Sequence, residues 1–566
     1  MRVLAAVAML ALAAAALALA LAAHEYASAE VFVFSKVLGF DAPPGSDAIR
    51  VRRGRIVEIG RERSLGRGRR VRRFAGLVAV PGFRDADVRV ALSCAALSSD
   101  AVLAPEDWTA ALGRAAPAVP TRAAFEAGLR RAADAERAHE LTLVFGHHAP
   151  THGPLDRRAL DAAVPRRPCA VLSRGCGAFV LNGAALTALG YGMGDHGDEV
   201  ATGVFAGAAA VDAARRVFSG TAGRRRLAAG ASLLVSLLSA RGVCSVTDAS
   251  GSPRVVRWAR QAFASAPVRV RFALDPFPAI AALGPRRAGP AIARALSREP
   301  ARDAPAAWAW PPLVSLRVDE PCASGGHQMK AREGGAWALA LDDVDALSRA
   351  FLSRGYGVRY ETHGDFGLDV ALGQLQRRAF ERATAADAGP RVEVLAGFAD
   401  GRDAASKLAA LRDGGLDVRL SVDAGLARTA DNAAAPLASL AASPAGLHSS
   451  MPCGGSGPCD PLACAAAACS REGDERVSRA DALRLLCRPL GAGDDADVTL
   501  LSGDPLAEGF ERVRVWGVLL GGVPRASARE VPTSSRWPRL ALPAAFEGGA
   551  CDRTALADAI VACATR

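Results

Sequence analysis

VPGFRDADVRV, residues 80–90, ends a run of apolar β-formers and breaks at once into charge. The pattern is that of a buried strand running into a loop at the end of a sheet. The same apolar, β-branched character recurs in seven further stretches, at 242–249, 268–275, 313–320, 357–364, 391–397, 416–425 and 445–452. With 77–85 as the first, they alternate with alanine-rich helical sequence, the signature of a parallel α/β sheet. Eight such units predict a (β/α)8 TIM-like barrel, whose reactive groups belong at the C-terminal ends of the strands. The 566-residue chain has room for a barrel of ~250 residues and appended parts. The gap between the first two strands, about 91–240, reads as an insertion with strands of its own in LTLVFGH and CAVLSRG.

Short alternating pieces lie at both ends, EVFVFSKVLGF and DAIRVRRGRIVEIG early, DADVTLLSGDPL and VRVWGVLLGGVPR late. They predict one small β-sandwich made from 30–76 and 491–530, around a barrel of 77–490, with 531–566 as a C-terminal tail. The net charge of +11 comes almost wholly from arginine. The densest run, RERSLGRGRRVRR (61–73), reads as a solvated hairpin loop, and no nucleic-acid partner is expected. There is no Walker loop, zinc finger or dinucleotide glycine motif.

Residues 1–29 carry Arg2, an uncharged apolar run from Val3 to Ala23 and a small-x-small site at Ala27-Ser28-Ala29. They predict a signal peptide or a signal anchor, since the run is also about as long as the ~20 residues that cross a bilayer. The chain is expected on the secretory route, extracellular or lumenal, or membrane-anchored through residues 3–23. Twelve cysteines fit an oxidising compartment, with a disulfide-stapled loop expected over Cys453, Cys459, Cys464 and Cys469. Cys551 and Cys563 flank a helix-like tail. Neither Asn182 nor Asn432 starts a glycosylation acceptor.

In order, these pieces resemble the amidohydrolase superfamily, specifically its amidohydrolase-3 group. VPGFRDADV is similar to the family's Pro-Gly-Phe before Asp-Ala-His-x-His. GCGAFVLNGAAL (175–186) is similar to the inserted domain's Gly-His…Asn-Ser-x-Ala-Leu, GVCSVTDAS to a Gly-Val-Thr-Thr-x-x-Asp-Ala strand, and ADVTLLSGDPL to the closing Ala-Asp-Leu motif. The likeness runs from Ala48 to Pro524. It implies metal-dependent hydrolysis of non-peptide C–N bonds in amides or related small molecules. It also implies where the chemistry should sit. The first strand's histidine pair falls on Asp87 and Arg89, the fourth strand's lysine on Ser315 and the fifth strand's histidine on Glu361. The sixth strand's histidine falls on Val394, the eighth strand's aspartate on Ser450, and the insertion's substrate-side histidine on Cys176.

A hydrolytic metal needs about three His, Asp or Glu ligands and one open position for water. Arg89 offers no lone pair and repels a cation, and Ser450 is a poor base without a partner. The sequence therefore predicts a catalytically degenerate copy, with Arg89 in the place of the metal and paired with Asp87 or Glu361, binding a small molecule and needing no cofactor. The alternative is an active hydrolase, metal-free or holding one divalent ion (zinc, manganese or iron) on Asp87, Glu361 and His363. Asp85 and Asp365 could add oxygens for a harder cation such as magnesium. Pocket-lining residues are expected at Cys176, Asn182, Asp248, Asp319, His363 and Asp365. His147, His148 and His152 read as surface or substrate-lining residues of the insertion, and Glu393 as a hydrogen-bonding group of the barrel.

Overall fold

The computed structural model describes residues 29–298, 313–319, 337–382, 392–396, 401–413, 418–423, 438, 445–448, 460–471, 476–487, 491–525 and 553–564. Breaks fall inside those ranges at 40, 66–69, 113, 135–140, 193, 265, 267 and 355. The apolar run 3–23, Ser450 and Cys453, Cys459 and Cys551 lie outside them. Cys464 and Cys469 are on one helix, Pro461–Cys469. Among the described residues no helix is long and apolar enough to cross a membrane.

Eight parallel strands lie in sequence order: Phe83–Asp85, Val243–Gly251, Arg269–Leu274, Leu313–Arg317, Gly357–Thr362, Val392–Ala396, Val418–Asp423 and Ala445–His448. The eighth comes back beside the first, so the sheet curls into a TIM-like barrel. One face of each strand packs its branched and aromatic residues against the helices, as Val314, Leu316, Val358, Tyr360, Val418 and Leu420 do.

The first strand is shorter than its sequence suggests. Residues 70–81 form a long strand of a different, seven-stranded sheet, and only 83–85 belong to the barrel. The boundary expected at 76/77 falls at Gly82. The chain changes sheets there in a space so tight that a Cβ on Gly82 would lie 2.7 Å from the Cys244 side chain.

The seven-stranded sheet joins the two chain ends. Arg70–Pro81 pairs parallel with Glu30–Val37 on one side and antiparallel with Val498–Leu501 on the other. Phe32, Phe34, Ile49, Val498 and Leu519 form its core. The arginine run is more than a hairpin loop, since it holds a short helix, Glu62–Leu65, and the start of the Arg70–Pro81 strand.

The insertion carries its own five-stranded sheet and core. Its strands Thr142–His147 and Cys169–Ser173 are those read from the sequence. The helix Gly220–Ala240 then returns to the barrel and crosses Val90–Leu97 at Gly230, where a Cβ would come within 1.9 Å of the Cys94 carbonyl. A Gly230→Ala variant should therefore lose roughly 1–3 kcal/mol by overpacking, read as a lower urea midpoint at unchanged slope.

The C-terminal tail is integrated as well. Helix Arg553–Ala564 packs on Val90–Leu97, Gly207–Val217, Gly220–Ala240 and Pro253–Ala262. It buries Leu556, Ile560 and Val561, and its Asp558 accepts hydrogen bonds from Ser252 and Arg254.

Candidate functional site at the barrel mouth

Alternation along each strand decides what enters the barrel. In the fifth strand Val358 and Tyr360 face the helices, so Arg359 and Glu361 face the lumen. Registers carry that face to Ser315 and Arg317 of the fourth strand and Glu393 of the sixth. Val394, aligned with Tyr360 and Leu420, belongs to the outward face and packs fully buried in the helix-facing core. The sixth-strand position expected to point at a metal therefore points away from the lumen.

Two charged layers fill the interior. In the lower one Glu393 lies between two arginines, accepting from Arg84 Nη2 at 2.6 Å and from Arg359 Nη2 at 3.0 Å. Arg359 is fully buried and also donates to the Ala86 carbonyl at 2.6 Å, tying the fifth strand to the loop after the first. Among the described residues its Nε and Nη1 have no hydrogen-bond partner. Neither Arg84 nor Arg359 is among the positions to which the resemblance assigns chemistry. The signal for them is the alternation of Arg and Glu with Val and Tyr in GVRYETHG, which puts charge on the face that barrels usually fill with branched apolar residues.

The upper layer inverts that order, one arginine between two carboxylates. Arg89 Nε lies 3.4 Å from Asp87 Oδ1, and Arg89 Nη2 lies 3.6 Å from Glu361 Oε2, with all three side chains almost wholly buried. Ser315 donates to Glu361 Oε1 at 2.6 Å. Asp85, also buried, accepts the Asp87 N–H at 3.0 Å and fixes the loop that aims both residues inward. Burial pushes the Glu361 carboxyl up and Asp87 adds to that. Arg89, the Ser315 hydroxyl and Arg317 work against them, and the net shift is downward.

Of the other expected pocket residues, His363 follows Glu361 by two positions, while Asn182, Cys176, Asp319, Asp365 and Asp248 have surroundings of their own. Asn182 is fully buried and caps the helix Gly183–Ala188, accepting from Ala185 and Cys169 N–H and donating to the Val164 and Arg167 carbonyls. That uses its whole amide, so it lines no pocket. Cys176 is fully buried in the core, at a left-handed φ of 54°. Asp319, fully buried, accepts the backbone N–H groups of His363 (2.8 Å) and Gly364 (2.9 Å) and holds the loop after the fifth strand. Asp365 opens the helix Asp365–Arg382. Asp248 is buried beside Cys94, whose thiol is pushed up by burial and then by that carboxylate.

His147, His148 and His152 are buried rather than superficial. Phe125 stacks on His152 with ring centroids 4.6 Å apart, and His147 meets the same ring at 5.2 Å. Deeper in the insertion, Arg174 pairs with the buried Glu106.

No protein-family model matches the sequence, and no curated protein matches it. Among solved structures the chain is similar to an uncharacterized metal-dependent hydrolase from Pyrococcus horikoshii OT3. That match has 15% identity and a TM-score of 0.60, and covers 86% of this chain and 99% of the other. A counterpart from Pyrococcus furiosus has 17% identity and a TM-score of 0.59, covering 84% and 100%. The chain shares the fold of these two proteins.

Within that fold the described residues at the barrel mouth do not fit a hydrolytic metal. The two carboxylates nearest the expected position already share a guanidinium, which has no lone pair to give and repels a cation. Among the described residues no group of three or more His, Cys, Asp or Glu side chains is placed to hold a metal ion.

Proposed function

We propose that the protein is a catalytically degenerate amidohydrolase-type barrel that binds a small molecule at the strand ends without hydrolysing it. The observation that carries this reading is Arg89 between Asp87 and Glu361. Its fixed charge stands where a water-activating cation would be needed, and unlike a metal it cannot bind and acidify a water. Ser450, which the resemblance aligns with the general base, is a poor base on its own and supports the same reading.

The test is metal analysis of protein purified without chelator, beside an Asp87→His/Arg89→His variant and with amide hydrolysis assayed on both. The parent is expected to carry far less than one equivalent of metal and to show no metal-dependent turnover. Near one equivalent of tightly bound zinc, iron or manganese in the parent would overturn the reading and restore an active hydrolase.

A further inference from the structure

Between Ala48 and Ala75 the chain holds eleven arginines against two glutamates, which is nine of its eleven net positive charges. Composition alone does not produce that concentration, and five of these arginines share one region, around the helix Glu62–Leu65 and the start of strand Arg70–Pro81. Arg61, Arg63, Arg70, Arg72 and Arg73 are all exposed. Arg61, Arg63 and Arg73 line a groove of about 790 Å³ whose remaining wall includes Gly45, Asp47 and Val71. The nearby acids are engaged: Glu30 with Arg72 at 2.5 Å, and Glu62 with Arg73. Arg70 keeps 78% of its side chain exposed.

The position of this surface in the chain says what it faces. Strand Glu30–Val37 begins between two arginine-bearing strands, Glu30 opposite Arg70 on one side and Val51 on the other. Only residues 24–29 separate Glu30 from the uncharged run Val3–Ala23. An apolar segment long enough to enter a bilayer thus leads directly into the positive end of the sheet. We propose that this arginine surface docks on the anionic headgroups of a phospholipid membrane and orients the barrel against it.

Each basic side chain near an anionic surface contributes roughly fivefold to partition, screened over a Debye length of about 10 Å at 0.1 M salt. The experiment uses the full chain and measures binding to vesicles of phosphatidylcholine alone and of phosphatidylcholine with 30% phosphatidylglycerol. The apolar run contributes equally to both, so the ratio isolates the arginines. At low salt the ratio is expected on the order of a hundredfold, falling toward one in 0.5 M NaCl. An Arg61→Gln/Arg63→Gln/Arg70→Gln variant should lose most of it. Equal binding to the two vesicles, or a preference that survives high salt, would overturn the proposal without any variant. So would a folded triple variant that keeps the preference, and so would displacement from vesicles by an equimolar 20-nucleotide RNA, which would make nucleic acid the partner.

Discussion

A Glu393→Gln variant is expected to lose roughly 3–5 kcal/mol of folding stability, the cost of removing the carboxylate from a buried charge cluster. Glu393 accepts from two guanidinium groups, of which Arg359 is fully buried, so the change leaves two cations facing each other across the lumen with a neutral amide between them. Arginine cannot escape by losing its proton. Urea unfolding checks this directly, and an unfolding free energy within about 1 kcal/mol of the parent would mean that the lumen is hydrated well enough to screen both charges. An Arg84→Met/Glu393→Leu/Arg359→Met variant separates charge from shape. Replacing a whole buried ion cluster by apolar residues is often neutral or stabilising, so this triple change should fall closer to the parent than the single one. If both fall equally, packing volume at Glu393 rather than its charge supports the barrel.

The same cluster marks how far the sequence could be read. The barrel strands were legible because branched apolar residues alternate with helical sequence, and seven of the eight read from it lie at 243–251, 269–274, 313–317, 357–362, 392–396, 418–423 and 445–448. The exception was the first. Residues 77–81 and Phe83 are buried alike, so nothing in their hydrophobicity tells that Gly82 passes the chain from one sheet to another. The upper charged layer was legible through its motif: Asp87 and Arg89 are two apart in a loop that the flanking Pro-Gly-Phe positions. The lower layer was not, because Arg84, Arg359 and Glu393 come from three strands and their partnership exists only once register is fixed. Register also decides Val394. In a Val-Glu-Val triplet either the glutamate or the valines can face inward, and only the arginines across the lumen settle it. Asn182 differs from its expected pocket role for another reason. An asparagine directly before Gly-Ala-Ala-Leu is a helix cap by local chemistry, and that simpler role takes up every polar atom a ligand would need.

Acid should weaken the insertion before it disturbs the barrel mouth. Burial lowers the His147 imidazole to about 4, with His152, His148 and Arg122 adding to the effect and a hydrogen bond to the Gly153 carbonyl opposing it. His152 is shifted the same way, again chiefly by burial. Both bases are thus neutral in the fold and readily protonated once unfolded, so the unfolded chain binds more protons and stability falls as pH falls. For His147 the window runs from the ordinary value near 6.5 down to about 4, and across it the loss is roughly 3 kcal/mol, at 1.36 kcal/mol per unit. The depressed Glu361 carboxyl also sheds stability on acidification, but its window starts at the ordinary carboxylate range and lies lower. Urea titrations between pH 7.5 and 4.5 should show the parent losing stability, and His147→Gln, which keeps a donor for Gly153, losing less by about one proton's worth of slope. Identical slopes would mean that His147 is hydrated and titrates normally in the fold. Since His147 closes the strand Thr142–His147 and Gly153 ends the turn that follows, the segment released first would be 147–153, with the stacked Phe125 losing its partners.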